Sequence, residues 1–266
     1  MSIKITTELI KELRESTGIS VMQCKNALEE AEGNMEKALA ILKKTSSDIA
    51  LKKAGRNAKD GRVCIKTGNL PAGKAGKKSV LVTLHCETDF VSKNEDFVNL
   101  ISNLTEKVFK DGVEKMKVEA KDLIDSVIQK TGEKIELGEI YEVKGNVLGN
   151  YVHNNKIGVI VSLEGGNEEL AKDIAMHITA MKPEYLFRDE ITEDVKKTMN
   201  EIFQKEIADM NKPEDIKKKM LEGKINTYFK EKTLLDQTFI KNGDETIGQL
   251  LEKNKAKIKE VKRCSI

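Results

Sequence analysis

Residues Val80–Leu104, VLVTLHCETDFVSKNEDFVNLISNL, decide how this chain folds. The apolar run VLVTL reads as a strand, and HCETDFVSKNEDF, His85–Phe97, forms the rim where that strand ends. A helix follows over NEDFVNLISNLTEKVF, where Phe97, Ile101, Leu104 and Val108 recur at i, i+4, i+7 and i+11. The same design returns in Gly158–Met181, GVIVSLEGGNEELAKDIAMHITAM, as strand, short turn and helix. In the second copy Gly165-Gly166 makes the turn, and nothing corresponds to TDFV, Thr88–Val91. Those residues are not needed to close a strand–helix connection, which is the reason to suspect that they are used. The echo predicts an α+β protein with two related subdomains, each an antiparallel sheet covered by helices on one face.

Upstream, residues 1–45 read as three short helices. Leu9, Ile10 and Leu13 form a stripe that stops at Gly18. Ser20 offers an N-cap with Gln23 as a capping-box partner, and Asn34 caps a third helix carrying Met35, Ala38, Leu39 and Leu42. The bundle looks like the ubiquitin-associated type, a fold that usually binds proteins. Residues 46–60 are expected to be a polar, partly helical linker, residues 61–140 the first subdomain, and 141–188 with 234–266 the second. Strand-like GRVCIKTGN and KKSVLVTLHCE flank the turn NLPAGKAGK. Residues 189–233 are almost wholly helical and charged, with Asn211-Lys212-Pro213 at the turn of a projecting hairpin. Ile191, Val195, Met199, Ile202 and Ile207 form a narrow seam that Ile216, Met220, Ile225, Tyr228 and Phe229 can face. A closing helix, TIGQLLEKNKAKI, and a short last strand complete the chain.

Composition narrows the function. The 266 residues carry 46 basic and 44 acidic side chains, a balance that argues against a dedicated nucleic-acid site. Only KAKIKEVKR, residues 255–263, is notably basic, and a solvated tail or final strand explains it. Aromatic residues are 4% with no Trp, too few for base-stacking platforms. No run approaches the ~20 apolar residues of a membrane span, and charges interrupt the first residues, so no signal peptide is expected. Cys24, Cys64, Cys86 and Cys264 are scattered without a CxxC pair, which suits a reducing cytoplasm.

His85, Cys86, Glu87 and Asp89 invite a catalytic or metal reading. Neighbours on a strand point to opposite faces, however, so His85 and Cys86 cannot line one site unless the chain bends. Paired metal-ligand spacing is missing, and Cys86 reads better as a small buried hydrophobe. AGKAGKKS, with Gly73, Gly76, Lys77 and Lys78, imitates a phosphate loop but precedes a strand instead of opening a helix. No catalytic residue, cofactor or metal is therefore expected. Phe90 remains. Either it is an exposed anchor for a partner, or it folds back beside Val91 and Phe97.

HCETDFVSKNEDF resembles the signature of the elongation factor Ts family, the nucleotide-exchange factors of elongation factor Tu in bacteria and organelles. TGISVMQCKNALEEAEGNMEKALAIL is similar to the family's N-terminal module. GEIYEVKGNVLGNYVHNNKIGVIV, DIAMHITAMKPEYL and MLEGKINTYFKEKTLLDQTFIKN resemble the rest of its core and the base of its hairpin. The resemblance implies that Thr88, Asp89, Phe90 and Val91 enter elongation factor Tu near its magnesium-binding side. Phe90 would wedge between partner helices and disturb the magnesium-holding elements, with Asp89 helping to place the tip. It further implies contacts from Val21 and Met22 to the nucleotide domain, and from His153 beyond that domain. The partner would be met both GDP-bound and nucleotide-free, in the cytoplasm, and the hairpin would be a variable accessory. Relatives often carry a glycine after this histidine, whereas Asn154-Asn155 stand here, which questions the turn geometry. No module is expected beyond KEVKRCSI. The alternative is a non-catalytic RNA- or protein-binding scaffold using the bundle and the basic C-terminus, which predicts salt-dependent RNA binding.

Overall fold

A computed structural model describes residues 5–70, 75–208, 210 and 212–266. Gly73 and Asn211 lie outside the described residues, so the middle of NLPAGKAGK and the start of the Asn-Lys-Pro turn are not characterised. The N-terminal helices are α1 (Thr7–Thr17), α2 (Val21–Glu30) and α3 (Met35–Lys53). Gly18 ends α1 in the left-handed region at φ 69°, and its N–H donates to Arg14 O. The Ser20 hydroxyl accepts the Gln23 N–H as expected, but the box is only half made: Gln23 Oε1 is buried without a partner. Asn34 Oδ1 accepts the Lys37 N–H at 2.9 Å. Leu13, Ile19, Cys24, Ala27, Leu28 and Leu42 fill the bundle's core.

The helical part of the expected linker is the continuation of α3, which runs on to Lys53. No glycine or proline interrupts it before Gly55, and Ile49 and Ala50 prolong the apolar spacing onto the next core. Ser47 Oγ donates to Asp125 Oδ2 at 2.8 Å, and Lys53 reaches the Gly132 carbonyl. A helix, not a tether, joins the bundle to the body.

Two three-stranded antiparallel sheets form that body. The first orders β1 (Asp60–Asn69), β2 (Lys77–Cys86) and β3 (Ile135–Gly145); the second orders β4 (Val147–His153), β5 (Ile157–Glu164) and β6 (Lys257–Ser265). All of β3 pairs with β2, so the division between subdomains falls after Gly145 and not at residue 141. Helices α5 (Glu95–Asp111) and α6 (Val113–Thr131) cover the first sheet, preceded by the five-residue α4 (Asp89–Lys93). Helices α7 (Glu168–Met181) and α10 (Ile247–Lys253) cover the second. The closing helix thus ends earlier than expected, at Asn254, and Lys255 turns the chain into β6 with φ 48°.

Helices cover each sheet on one face, as expected, and the other face packs against the second sheet. Along β2, Val80, Val82, Leu84 and Cys86 face α5 and α6, while Leu81 points the other way. Along β5, Val159, Val161 and Leu163 face α7 and α10, while Ile160 points back. Leu81 and Ile160 meet in a shared layer with Val63, Val143, Leu148 and Cys264. The order is helices, sheet, sheet, helices. That arrangement explains why β2 and β5 are almost continuously apolar instead of alternating.

The hairpin pairs α8 (Glu193–Ala208) with α9 (Glu214–Lys232). Its seam passes through Phe203, whose ring meets Tyr228 edge-on at 5.6 Å, while Ile202 and Ile216 are exposed. The expected seam was therefore one residue out of phase at Ile202. The root is fixed by backbone bonds from Glu184 and Tyr185 N–H to Lys232 O, and by ion pairs Lys232–Glu184 and Arg188–Asp236.

Candidate functional site

The tip at Thr88–Val91 is a turn of helix, α4, and not an open loop. Thr88 is its N-cap and accepts the Val91 N–H; Asn94 both ends α4 and caps α5 through the Asp96 N–H at 2.9 Å. Four side chains split their duties across it. Val91 is 8% exposed and joins the first core. Ser92 Oγ donates to Asp89 O at 3.0 Å. Asp89 pairs with Lys93 at 2.7 Å, and that hydrogen bond raises the lysine's pKa. Phe90 is 83% exposed and does not fold back beside Val91 and Phe97: its ring points to solvent while its neighbours are rooted.

The floor beneath the tip is crossed by two reciprocal links. Glu133 accepts from Thr88 twice, from the hydroxyl at 2.6 Å and from the backbone N–H at 3.0 Å. Glu87 accepts the Lys134 N–H at 2.6 Å and pairs with Arg56 at 3.2 Å. The Lys134 backbone donor is the main cause of the lowered Glu87 pKa; burial opposes it, and Arg56 adds to the lowering. Sequence reasoning did not find Glu133, Glu87, Lys134 or Arg56 as supports. Glu133, Lys134 and Arg56 lie far from Thr88 in sequence, and although Glu87 is its neighbour, no local spacing announces the partners that it meets across the fold.

His85 and Cys86 do face opposite sides of β2. Cys86 lies in the first core with its Sγ directed at Thr88 O, 3.2 Å away. Burial, then the nearby Asp60 and Glu133 charges, push its pKa up to about 12. A thiol so held is no nucleophile. Among the described residues no group of three or more His, Cys, Asp or Glu side chains is placed to hold a metal ion. No helix among them is long and apolar enough to cross a membrane.

The other expected contact residues lie at the same end of the molecule. Val21 and Met22 begin α2, and Met22 is 65% exposed. A side chain at Gly18, in the turn before them, would meet Lys130, which in turn bonds Asp96 at the start of α5. His153 is exposed where β4 ends, with its ring nitrogens 3.2 Å from Tyr151 Oη and Asn154 Nδ2. Asn154 and Asn155 take φ 49° and 57°, and Lys156 N–H closes onto His153 O, giving a type I′ turn without glycine. Asparagine tolerates this region, so the doubtful turn geometry is intact. Lys156 bonds Asp60 at 2.6 Å, and Asp60 pairs with Cys86 across β1 and β2, just below α4. Burial opposes ionisation of Asp60, but hydrogen bonds from Lys156 and Gly61 outweigh it and lower its pKa. The basic run 255–263 is mostly strand β6, bonded along β5.

Fold and tip together define an α+β protein that presents an exposed aromatic side chain on a short, capped helical turn. Residues 87–266 match the family model described as Elongation factor TS. Curated proteins called Elongation factor Ts are similar over nearly the whole chain. That of Hahella chejuensis is 38% identical over 98% of this chain and 92% of its own length. That of Cellvibrio japonicus is 38% identical over 98% and 90%, and that of Pseudomonas syringae pv. tomato 38% over 96% and 88%. This chain belongs to the elongation factor Ts family and is a factor of translation elongation.

Proposed function

We propose that this chain is a guanine-nucleotide exchange factor that binds elongation factor Tu in the cytoplasm and speeds release of GDP. The observation that carries the reading is Phe90, 83% exposed on a helical turn whose two ends are fixed. An exposed aromatic held in place costs little to order on binding and suits insertion between partner elements. Inserted near the magnesium side, with Asp89 steering the tip, it moves the groups that hold the ion and the phosphates. Val21, Met22 and His153, on the same end, supply further contacts. A protein that binds the nucleotide-free partner better than the GDP-bound one must weaken GDP binding by the same factor. No covalent step is needed.

The test is stopped-flow release of fluorescent GDP from the cognate elongation factor Tu at fixed magnesium. The wild-type chain accelerates release in proportion to its concentration. Phe90→Ala lowers that acceleration by about 10- to 150-fold, the equivalent of roughly 1.5–3 kcal/mol for a ring fully buried in the partner. Near-normal exchange by this variant removes the wedge role from Phe90.

A further inference from the structure

Thr88 opens α4, and both of its hydrogen-bond donors end on one carboxylate. Glu133 takes the hydroxyl proton at 2.6 Å and the backbone N–H at 3.0 Å. A carboxylate can only accept, so the hydroxyl must give its single proton to Glu133. Its lone pairs are then turned toward the Val91 N–H, which they cap. Glu133 thus dictates the orientation in which Thr88 can start the helix. A single turn of five residues is not stable by its own hydrogen bonding. With its ring in solvent, Phe90 gains no hold from packing. What fixes it is the anchored Val91 on one side and the Thr88–Glu133 pair on the other.

We infer that Glu133 is a positioning residue for nucleotide exchange: it holds Phe90 ready before the partner arrives. The inference rests on the exchange reading given above. Without Glu133, the start of α4 is ordered only on binding, and that ordering free energy is subtracted from the complex. The turn that carries Glu133 does not depend on it. Glu87 still accepts the Lys134 N–H at 2.6 Å, and Arg56 still pairs with Glu87. Glu133→Ala therefore leaves the sheet and helices in place.

The experiment compares wild type, Glu133→Ala, Glu133→Gln, Phe90→Ala and the double variant Phe90→Ala/Glu133→Ala. It reads GDP release over a range of factor concentrations, amide hydrogen exchange at Val91 and Ser92, and melting temperature. Glu133→Ala is expected to lower release at subsaturating concentration about 5- to 10-fold, as for the cost of ordering a side chain and its turn on binding. Its Val91 and Ser92 amides exchange faster while those of α5 and α6 keep their protection. Glu133→Gln recovers part of the rate, since its amide oxygen still accepts the Thr88 N–H. The double variant is no slower than Phe90→Ala alone, because the clamp acts through the ring. Wild-type rates in Glu133→Ala, or an equal slowing by it with and without Phe90, overturn the inference. Should Glu133→Ala not fold, Glu133→Asp, with the carboxylate withdrawn by one methylene, takes its place with the same expected and overturning results. Slow Phe90→Ala beside normal Glu133→Ala refutes the clamp alone; normal Phe90→Ala refutes the exchange role of the ring, and the clamp's role with it.

Discussion

At residue scale, chemistry follows from what each side chain is denied. Cys86 and Cys264 are buried, and burial is the main reason that both thiols are pushed up to about 12. Neither forms thiolate near pH 8, so titration of the native protein with a chromogenic disulfide leaves both unmodified until a denaturant is added; rapid native labelling of Cys86 contradicts its placement. His177 is wholly buried on α7. Its Nδ1 lies 3.3 Å from the Ile240 N–H and must accept, so Nε2 carries the proton and donates to Gln237 Oε1 at 2.9 Å. Burial lowers its pKa from 6.5 despite the Gln237 bond. The unfolded chain then binds the proton more readily than the folded one. Stability from this group is complete above the unfolded value of 6.5 and is lost as pH falls below it. A plot of melting temperature against pH is expected to be level above neutrality and to decline as pH falls below about 6.5, with a shallower decline in His177→Gln. An unchanged slope in that variant assigns the acid loss to other groups. The role of Phe90 was only half legible at this scale, because exposure of one ring depends on where its neighbours root. Glu133 was not legible at all: its partner lies across the fold, in another element.

At the scale of elements, legibility followed period and punctuation. The amphipathic helices α5 and α7 announced themselves through regular apolar spacing. Where periodicity was ambiguous, phase slipped by one residue, as at Ile202 and Phe203. Polar composition masked the continuation of α3, since KTSSDIALKK buries little yet contains no breaker. Packing between elements leaves its mark in glycine. A side chain at Gly149 on β4 would overlap the backbone of Ala171 and Lys172, so α7 lies directly on the strand. Gly149→Ala is expected to destabilise by about 1–3 kcal/mol or more, since backbone cannot step aside as a side chain can. Chemical denaturation checks this, and a loss below ~0.5 kcal/mol disproves the close approach.

At the scale of the whole molecule, the sheet-to-sheet layer is the feature that the internal echo concealed. Each repeat looked complete with one sheet and its helices, although the unbroken apolar strands VLVTL and VIVSL already implied a second buried face. Ile160 sits in that layer with no exposed surface, against Leu81 and Val63 of the other sheet. Ile160→Ala is expected to cost about 2–5 kcal/mol. Because the layer joins the halves, the same change separates one unfolding transition into two; a single transition that merely shifts shows the halves to be coupled elsewhere.

That shared layer also sets a timetable for the newborn protein. β5 is the middle strand of its sheet, yet its neighbour β6 arrives only after α7, the whole α8–α9 hairpin and α10 have been made. Until then β5 carries an open edge, and the layer lacks Cys264 and its neighbour Ile266. A ribosome stalled before β6 therefore displays a half-built sandwich with a greasy, unpaired margin, a surface of the kind that chaperones hold and that like chains share in aggregates. The factor that serves translation is itself finished late in its own synthesis.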